Sequence, residues 1–169
     1  MPDIALHVGR PKHLQQFDYR GAYRYFLTFC TYQRHRIFVE SQSVNLVLSQ
    51  ILRTASREQF DLAAYCFMPD HVHLLVAGGA APANCLTFIS RAKQFSGFHY
   101  QRQFGERLWQ RYGYERTLRG DEDTLSVARY IVENPVRARL ARSPRDYPFL
   151  GSSCYSVEEI LEAIQMHKR

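Results

Sequence analysis

No apolar run in these 169 residues approaches the ~18 needed to cross a bilayer as a helix. The opening "MPDIALHVGRPKH" lacks the charged-then-apolar order of a secretory signal. Cysteine is sparse and scattered: Cys30, Cys66, Cys85 and Cys154 form neither a C-x-x-C pair nor a short-range His/Cys box. That argues against a zinc finger and for free thiols in a reducing compartment. Internal repeats and low-complexity tracts are absent. Acidic residues are the minority, 16 against 22 Lys and Arg, which leaves a net charge of +6 and points to an acidic partner. Apolar residues make up 46%, enough to bury a core. The expectation is one cytoplasmic domain with no membrane association.

What is present is unevenly placed. Residues 91–119 hold seven cations (Arg91, Lys93, Arg102, Arg107, Arg111, Arg116, Arg119) against Glu106 and Glu115. Phe95, Phe98, His99, Tyr100, Phe104, Trp109, Tyr112 and Tyr114 run through the same stretch. Cations grip phosphates and flat rings stack on unpaired bases, so the mixture suits a single strand or a hairpin loop. A solvated basic face over core aromatics has the same composition, and Trp109 is read as a core or groove anchor.

The apolar spacing predicts an order of elements. "YRYFLTFCTY" (23–32) alternates as a strand. Val44, Val47, Leu48, Ile51, Leu52 and Ala55 recur at helical spacing, with Ser41 or Ser43 as cap. "LAAYCFM" (62–68) and "HVHLLVA" (71–77) read as strands joined at Pro69-Asp70, where Asp70 is expected to form the turn. A helix follows Pro82 to about residue 101, then a strand at 114–119. Asp121 opens a further helix, which Pro135 should end at Asn134. "SVEEILEAIQMHK" closes the chain as a helix. This order predicts an α+β, ferredoxin-like sandwich: an antiparallel sheet with helices packed on one face. Residues 1–20 are expected to be an arm, 21–155 the domain and 156–169 the closing helix.

Two features bear on chemistry. In a strand His71, His73 and Leu75 share one face, and Val72, Leu74 and Val76 the other, which should enter the core. Paired imidazoles can hold a borderline divalent metal, although a hydrogen-bonded pair on a partly exposed face is the commoner meaning of H-x-H in a strand. In "VARYIVENPVRARL" (127–140), Tyr130 and Asn134 project from the same helical face. A hydroxyl and an amide carbonyl could therefore sit near one metal. One tyrosine among eleven is, by itself, more often packing.

The combination decides more than its parts. "FMPDHVHLLV", "LWQRYGYERTLR", "YIVENPVRARL" and "YPFLGSS", in that order, resemble the motifs of the REP-associated tyrosine transposases, members of the HUH single-tyrosine transposases. The resemblance spans about residues 20–155. It implies a metal-dependent nuclease and strand transferase acting on single-stranded, palindromic hairpin DNA through a 5′-phosphotyrosine. It also implies His71 and His73 as ligands of Mg²⁺ or Mn²⁺, Tyr130 as nucleophile, and Asn134 as third ligand, where some relatives carry glutamine. Glu133 is the alternative third ligand. Arg91, Lys93, Arg102, Arg111 and Arg119 are the DNA contacts expected within the basic stretch. A monomer is expected rather than a homodimer. The rival from a different class is a non-catalytic hairpin-binding module.

Overall fold

A computed structural model describes residues 23–79, 82–118 and 121–166. The arm expected over 1–20 and the contact expected at Arg119 lie outside the described residues. Strands β1 (Arg24–Cys30), β2 (Phe60–Met68), β3 (His71–Gly78), β4 (Tyr114–Leu118) and β5 (Leu150–Gly151) form one sheet in the order β4-β1-β3-β2-β5. Every pairing is antiparallel. The helices are α1 (Ser41–Arg57), α2 (Cys85–Phe104), α3 (Asp121–Arg137) and α4 (Val157–Met166). The first six elements run β-α-β-β-α-β, and with β4 and β2 flanking β1 and β3 this is the expected ferredoxin-like α+β class.

The helices occupy both faces rather than one. Tyr25, Leu27 and Phe29 of β1 and Val72, Leu74 and Val76 of β3 pack with α1 and α2 in one core. Phe26 of β1 and Leu75 of β3 face the other way, into a second core with Val127, Ala128, Ile131 and Val132 of α3 and Ile160 and Ile164 of α4. The one-face expectation describes α1 and α2. It missed that β1 and β3 are apolar on both faces, which requires a cover on each side.

A bulge in β2 keeps the two cores in register. Leu62 pairs with Val76 but Ala64 with Leu75, so Ala63 is an extra residue. Phe60 and Leu62 therefore enter the first core, whereas Ala64, Cys66 and Met68 enter the second. Without the bulge, Cys66 and Met68 would point away from the face that carries His71 and His73.

Three local expectations are corrected. Neither Ser41 nor Ser43 caps α1; the cap is Glu40, and Ser43 instead donates to the carbonyls of Ile37 and Glu40. Pro135 does not stop α3 at Asn134: the helix continues to Arg137. A proline this near the end forfeits a single amide bond, and the last turn is completed by Ala138 donating to Asn134 O and Leu140 to Pro135 O. The pair of residues at β5 had no predicted strand. It is fastened by Phe67 N donating to Phe149 O and by Tyr147 Oη donating to Phe67 O at 2.6 Å.

At Gly113, just before β4, an added Cβ would lie 2.6 Å from the carbonyl oxygen of Thr28. That atom belongs to the backbone of a central strand and cannot yield cheaply. Gly113→Ala is expected to destabilise the protein by about 1–3 kcal/mol, read as a lowered midpoint of thermal unfolding. An unchanged midpoint would show that the approach of the two backbones is not enforced.

Candidate active site

His71 and His73 stand at the start of β3, on the face turned toward α3. Register sets their surroundings: across the sheet His73 is paired with Thr28 of β1 and Cys66 of β2, and His71 with Cys30 and Met68. His73 is 2% exposed. Its Nδ1 lies 2.8 Å from the Thr28 hydroxyl. His71 is half-buried, and its Nδ1 lies 2.6 Å from a carboxylate oxygen of Asp70. The two Nε2 atoms face each other at 3.1 Å.

These bonds constrain where the protons sit. A carboxylate only accepts, so His71 carries a proton on Nδ1, and in its neutral form it turns the Nε2 lone pair toward its neighbour. The Thr28 hydroxyl can donate to His73 Nδ1 or accept from it. In the first arrangement His73 Nε2–H donates to His71 and closes the pair; in the second, both Nε2 lone pairs are free. Burial, then the charges of His71, Arg137 and Arg34, hold His73 well below its ordinary pKa, so it is neutral at physiological pH. A neutral imidazole is the form that binds metal.

The geometry fits an ion. A metal ~2.1 Å from each nitrogen, with the two ligands at a right angle, needs them ~3.0 Å apart. The observed separation is 3.1 Å. Among the described residues no group of three His, Cys, Asp or Glu side chains is placed for a metal. The remaining positions would fall to Asn134, substrate oxygens and water.

Asp70 does more than form the turn expected of it. Its carbonyl accepts from Thr31 N and Oγ1. One carboxylate oxygen takes His71, and the other takes Arg34 Nε at 2.9 Å. Burial alone would raise this carboxyl, but the His71 hydrogen bond and charge, with Arg34, bring it down to about 2. It is therefore a permanent anion behind His71, the arrangement that orients metal-bound histidines. Arg34 follows Gln33 in left-handed backbone, with φ of 57° and 52°. Its Nη1 also lies 2.8 Å from Cys30 Sγ. Local spacing marked neither Thr28 nor Arg34; the acidic neighbour in "PDH" was the one available signal.

α3 brings Tyr130 to the same place. Val127, Ala128, Ile131 and Val132 bury the helix, leaving Tyr130 at the edge of the second core. Its ring centroid lies 5.4 Å from that of His73 and 5.8 Å from that of Phe26, both edge-on. His71, His73 and Tyr130 are thus brought together. Asn134 follows one turn on, half-buried, with no hydrogen bond to either imidazole. Glu133 is engaged by Arg129 Nε at 2.9 Å.

The family model described as "Transposase IS200 like" matches residues 20–134, from β1 through Tyr130 and Asn134. The chain belongs to the IS200-like transposase family. It is 28% identical over 143 residues to a REP-associated tyrosine transposase of Haemophilus influenzae, covering 78% of this chain and 81% of that one. Its fold resembles a REP-associated tyrosine transposase solved bound to a REP hairpin, with TM-score 0.68 and 18% identity over 82% of this chain and 81% of the other. No helix among the described residues of this family member is long and apolar enough to cross a membrane.

The basic stretch divides. Arg91 and Lys93 lie on α2, across the sheet from the histidines, and Arg91 is ion-paired with Glu58. Lys93 donates to the carbonyls of Gln110 and Arg111 and lies over the Phe29 ring. Burial draws its ammonium down to about 8. Arg102 and Arg111 lie against Phe98 and Tyr112, both substantially exposed. Trp109 is a core anchor: it is buried against Phe29 and Phe38 and donates to Ser96 Oγ at 2.9 Å. Hydrogen bonds from Tyr32 N to Leu108 O and Gln110 N to Cys30 O tie the 105–113 loop to the end of β1, beside His71.

Proposed function

We propose that the chain is a metal-dependent nuclease and strand transferase for single-stranded, palindromic hairpin DNA of the REP type. Tyr130 is its nucleophile, and His71 and His73, with Asn134, hold Mg²⁺ or Mn²⁺. The observation that carries this reading is the meeting of Tyr130 with His73, 5.4 Å between ring centroids, beside two Nε2 atoms turned toward each other. Membership of the transposase family supports the class of reaction. The relatives named above for REP association support the substrate.

The protein's own part is positioning. Asp70 and Thr28 fix the two imidazoles, and the apolar seat of α3 presents Tyr130 at their edge. The phenolic oxygen attacks the scissile phosphorus in line and loses its proton. The P–O3′ bond breaks, and the departing 3′ oxygen gains a proton. Tyr130 is left joined to the 5′ phosphate, so a second 3′-OH can reverse the exchange and join strands without a high-energy cofactor. A bound divalent ion supplies polarisation of the phosphoryl group and stabilises the charge that develops there. Arg102, Arg111 and the neighbouring exposed rings supply DNA contacts away from the chemistry.

The test is incubation with end-labelled hairpin oligonucleotides, with and without Mn²⁺, followed by denaturing gels. The expected product is a metal-dependent band of protein covalently joined to DNA. Cleavage to a free 5′-phosphate with no adduct would mean that water, not tyrosine, attacks. Salt-sensitive binding with no cleavage would favour a non-catalytic hairpin-binding module.

A further inference from the structure

Arg137 lies one helical turn beyond Glu133, the usual place for an i,i+4 ion pair. That pair is not made. Glu133 bonds Arg129 instead, and Arg137 folds back along α3 toward Tyr130. Its guanidinium carbon stands 4.3 Å from the centre of the Tyr130 ring, and its Nη2 donates to the Tyr130 carbonyl at 2.9 Å. One side chain thus holds both the ring and the backbone of the same residue. Phe26 and His73 also lie against the Tyr130 ring, each with its plane steeply inclined to it.

We infer that Arg137 is a positioning residue for Tyr130, clamping ring and backbone together so that the phenol keeps one orientation beside the histidine pair. The inference rests on the transfer reading for its catalytic meaning, and on geometry alone for the clamp. A half-buried ring at the edge of a core has alternative rotamers, and a change of rotamer moves the phenolic oxygen. A misplacement of about 1 Å is enough to cost ~100-fold in rate. Planarity matters as much as charge. A guanidinium can lie on a ring and donate in its own plane at once, whereas an ammonium is a point charge that can do one or the other. Pro135 belongs to the same device. It offers no amide to the carbonyl of Ile131, and Arg137 makes its bond at the adjacent carbonyl, in the turn where the helical ladder is broken.

The experiment compares the parent protein with Arg137→Gln and Arg137→Lys by two readouts. The first is the single-turnover rate of adduct formation at saturating hairpin, set beside hairpin affinity measured without metal. Arg137→Gln is expected to slow adduct formation about 10- to 100-fold while affinity stays within about twofold. Arg137→Lys should recover part of the rate. The second readout is the proton chemical shift of the Arg137 side chain. It is expected upfield in the parent from the ring current of Tyr130, returning to an ordinary value in Tyr130→Leu. Equal losses of rate and affinity would make Arg137 a DNA contact and overturn the positioning role. An unshifted side chain would overturn the clamp itself. A parent that forms no adduct overturns the transfer reading, and with it any catalytic meaning of the clamp. An active parent whose rate Arg137→Gln leaves unchanged overturns the positioning role alone.

Discussion

Tyr130→Phe is expected to abolish the covalent protein–DNA product, with adduct formation falling by at least ~1,000-fold, as when a nucleophile that acts as part of a unit is removed. The substitution is well suited to the question because it deletes one oxygen and keeps the ring. Packing against Phe26, His73 and Arg137 depends on that ring, so the unfolding midpoint should move little. Hairpin affinity should also hold within about twofold, since Tyr130 contributes no charge to phosphate binding. The discriminating result is a variant that folds and binds but forms no adduct. If the variant cleaves as fast as the parent, the nucleophile is something else.

His73→Ala should fail in two ways at once, and the pair of effects is its signature. Adduct formation is expected to fall by at least ~100-fold, because even the partners behind a metal ligand are worth ~10–100-fold. The imidazole is also buried, packed 5.4 Å from Phe26 and bonded to Thr28. Truncation leaves a cavity and strands a buried hydroxyl, for a cost of roughly 2–4 kcal/mol. At about 2–4 °C per kcal/mol for a chain of this size, the unfolding midpoint should drop by roughly 4–16 °C. His71→Ala provides the contrast: it should lose adduct formation as severely, but with a smaller loss of stability, because His71 is only half-buried. Isothermal titration with Mn²⁺ and thermal melts of the two variants separate the roles. If either histidine can be removed with metal-dependent cleavage intact, the paired-ligand assignment is wrong.

The parts of this molecule that could be read from sequence are those set by local period. Alternation marked β1 and β3 and put Val72, Leu74 and Val76 on the core side. Helical spacing put Tyr130 and Asn134 on one face of α3, and the structure buries Val127, Ile131 and Val132 of that helix in the second core. What escaped was decided between elements. The Ala63 bulge changes the face of half a strand without changing its composition. The partners of the histidines are Thr28, which is two strand positions beyond Phe26 and unremarkable on its own, and Asp70, whose carboxylate could equally have made only a turn. Both roles follow from the β1–β3 register and the short helical turn Tyr32–Arg34, neither visible in a local window. Pro135 was misread for a related reason: the rule for the residue before proline is local, and α3 is held in place by its packing on β2.

β1 is a single wall with different material on its two sides. Tyr25, Leu27 and Phe29 serve a greasy layer, while Phe26 and Thr28 serve the reacting one. Substitutions within α1 can therefore drift a long way, as long as bulk is conserved, without touching the chemistry. A length change in the strand has no such freedom. One residue inserted before Leu27 exchanges the sides for everything beyond it, carrying the Thr28 hydroxyl into hydrocarbon and facing His73 with Leu27. Over descent, this wall should tolerate many changes of letter and almost none of count.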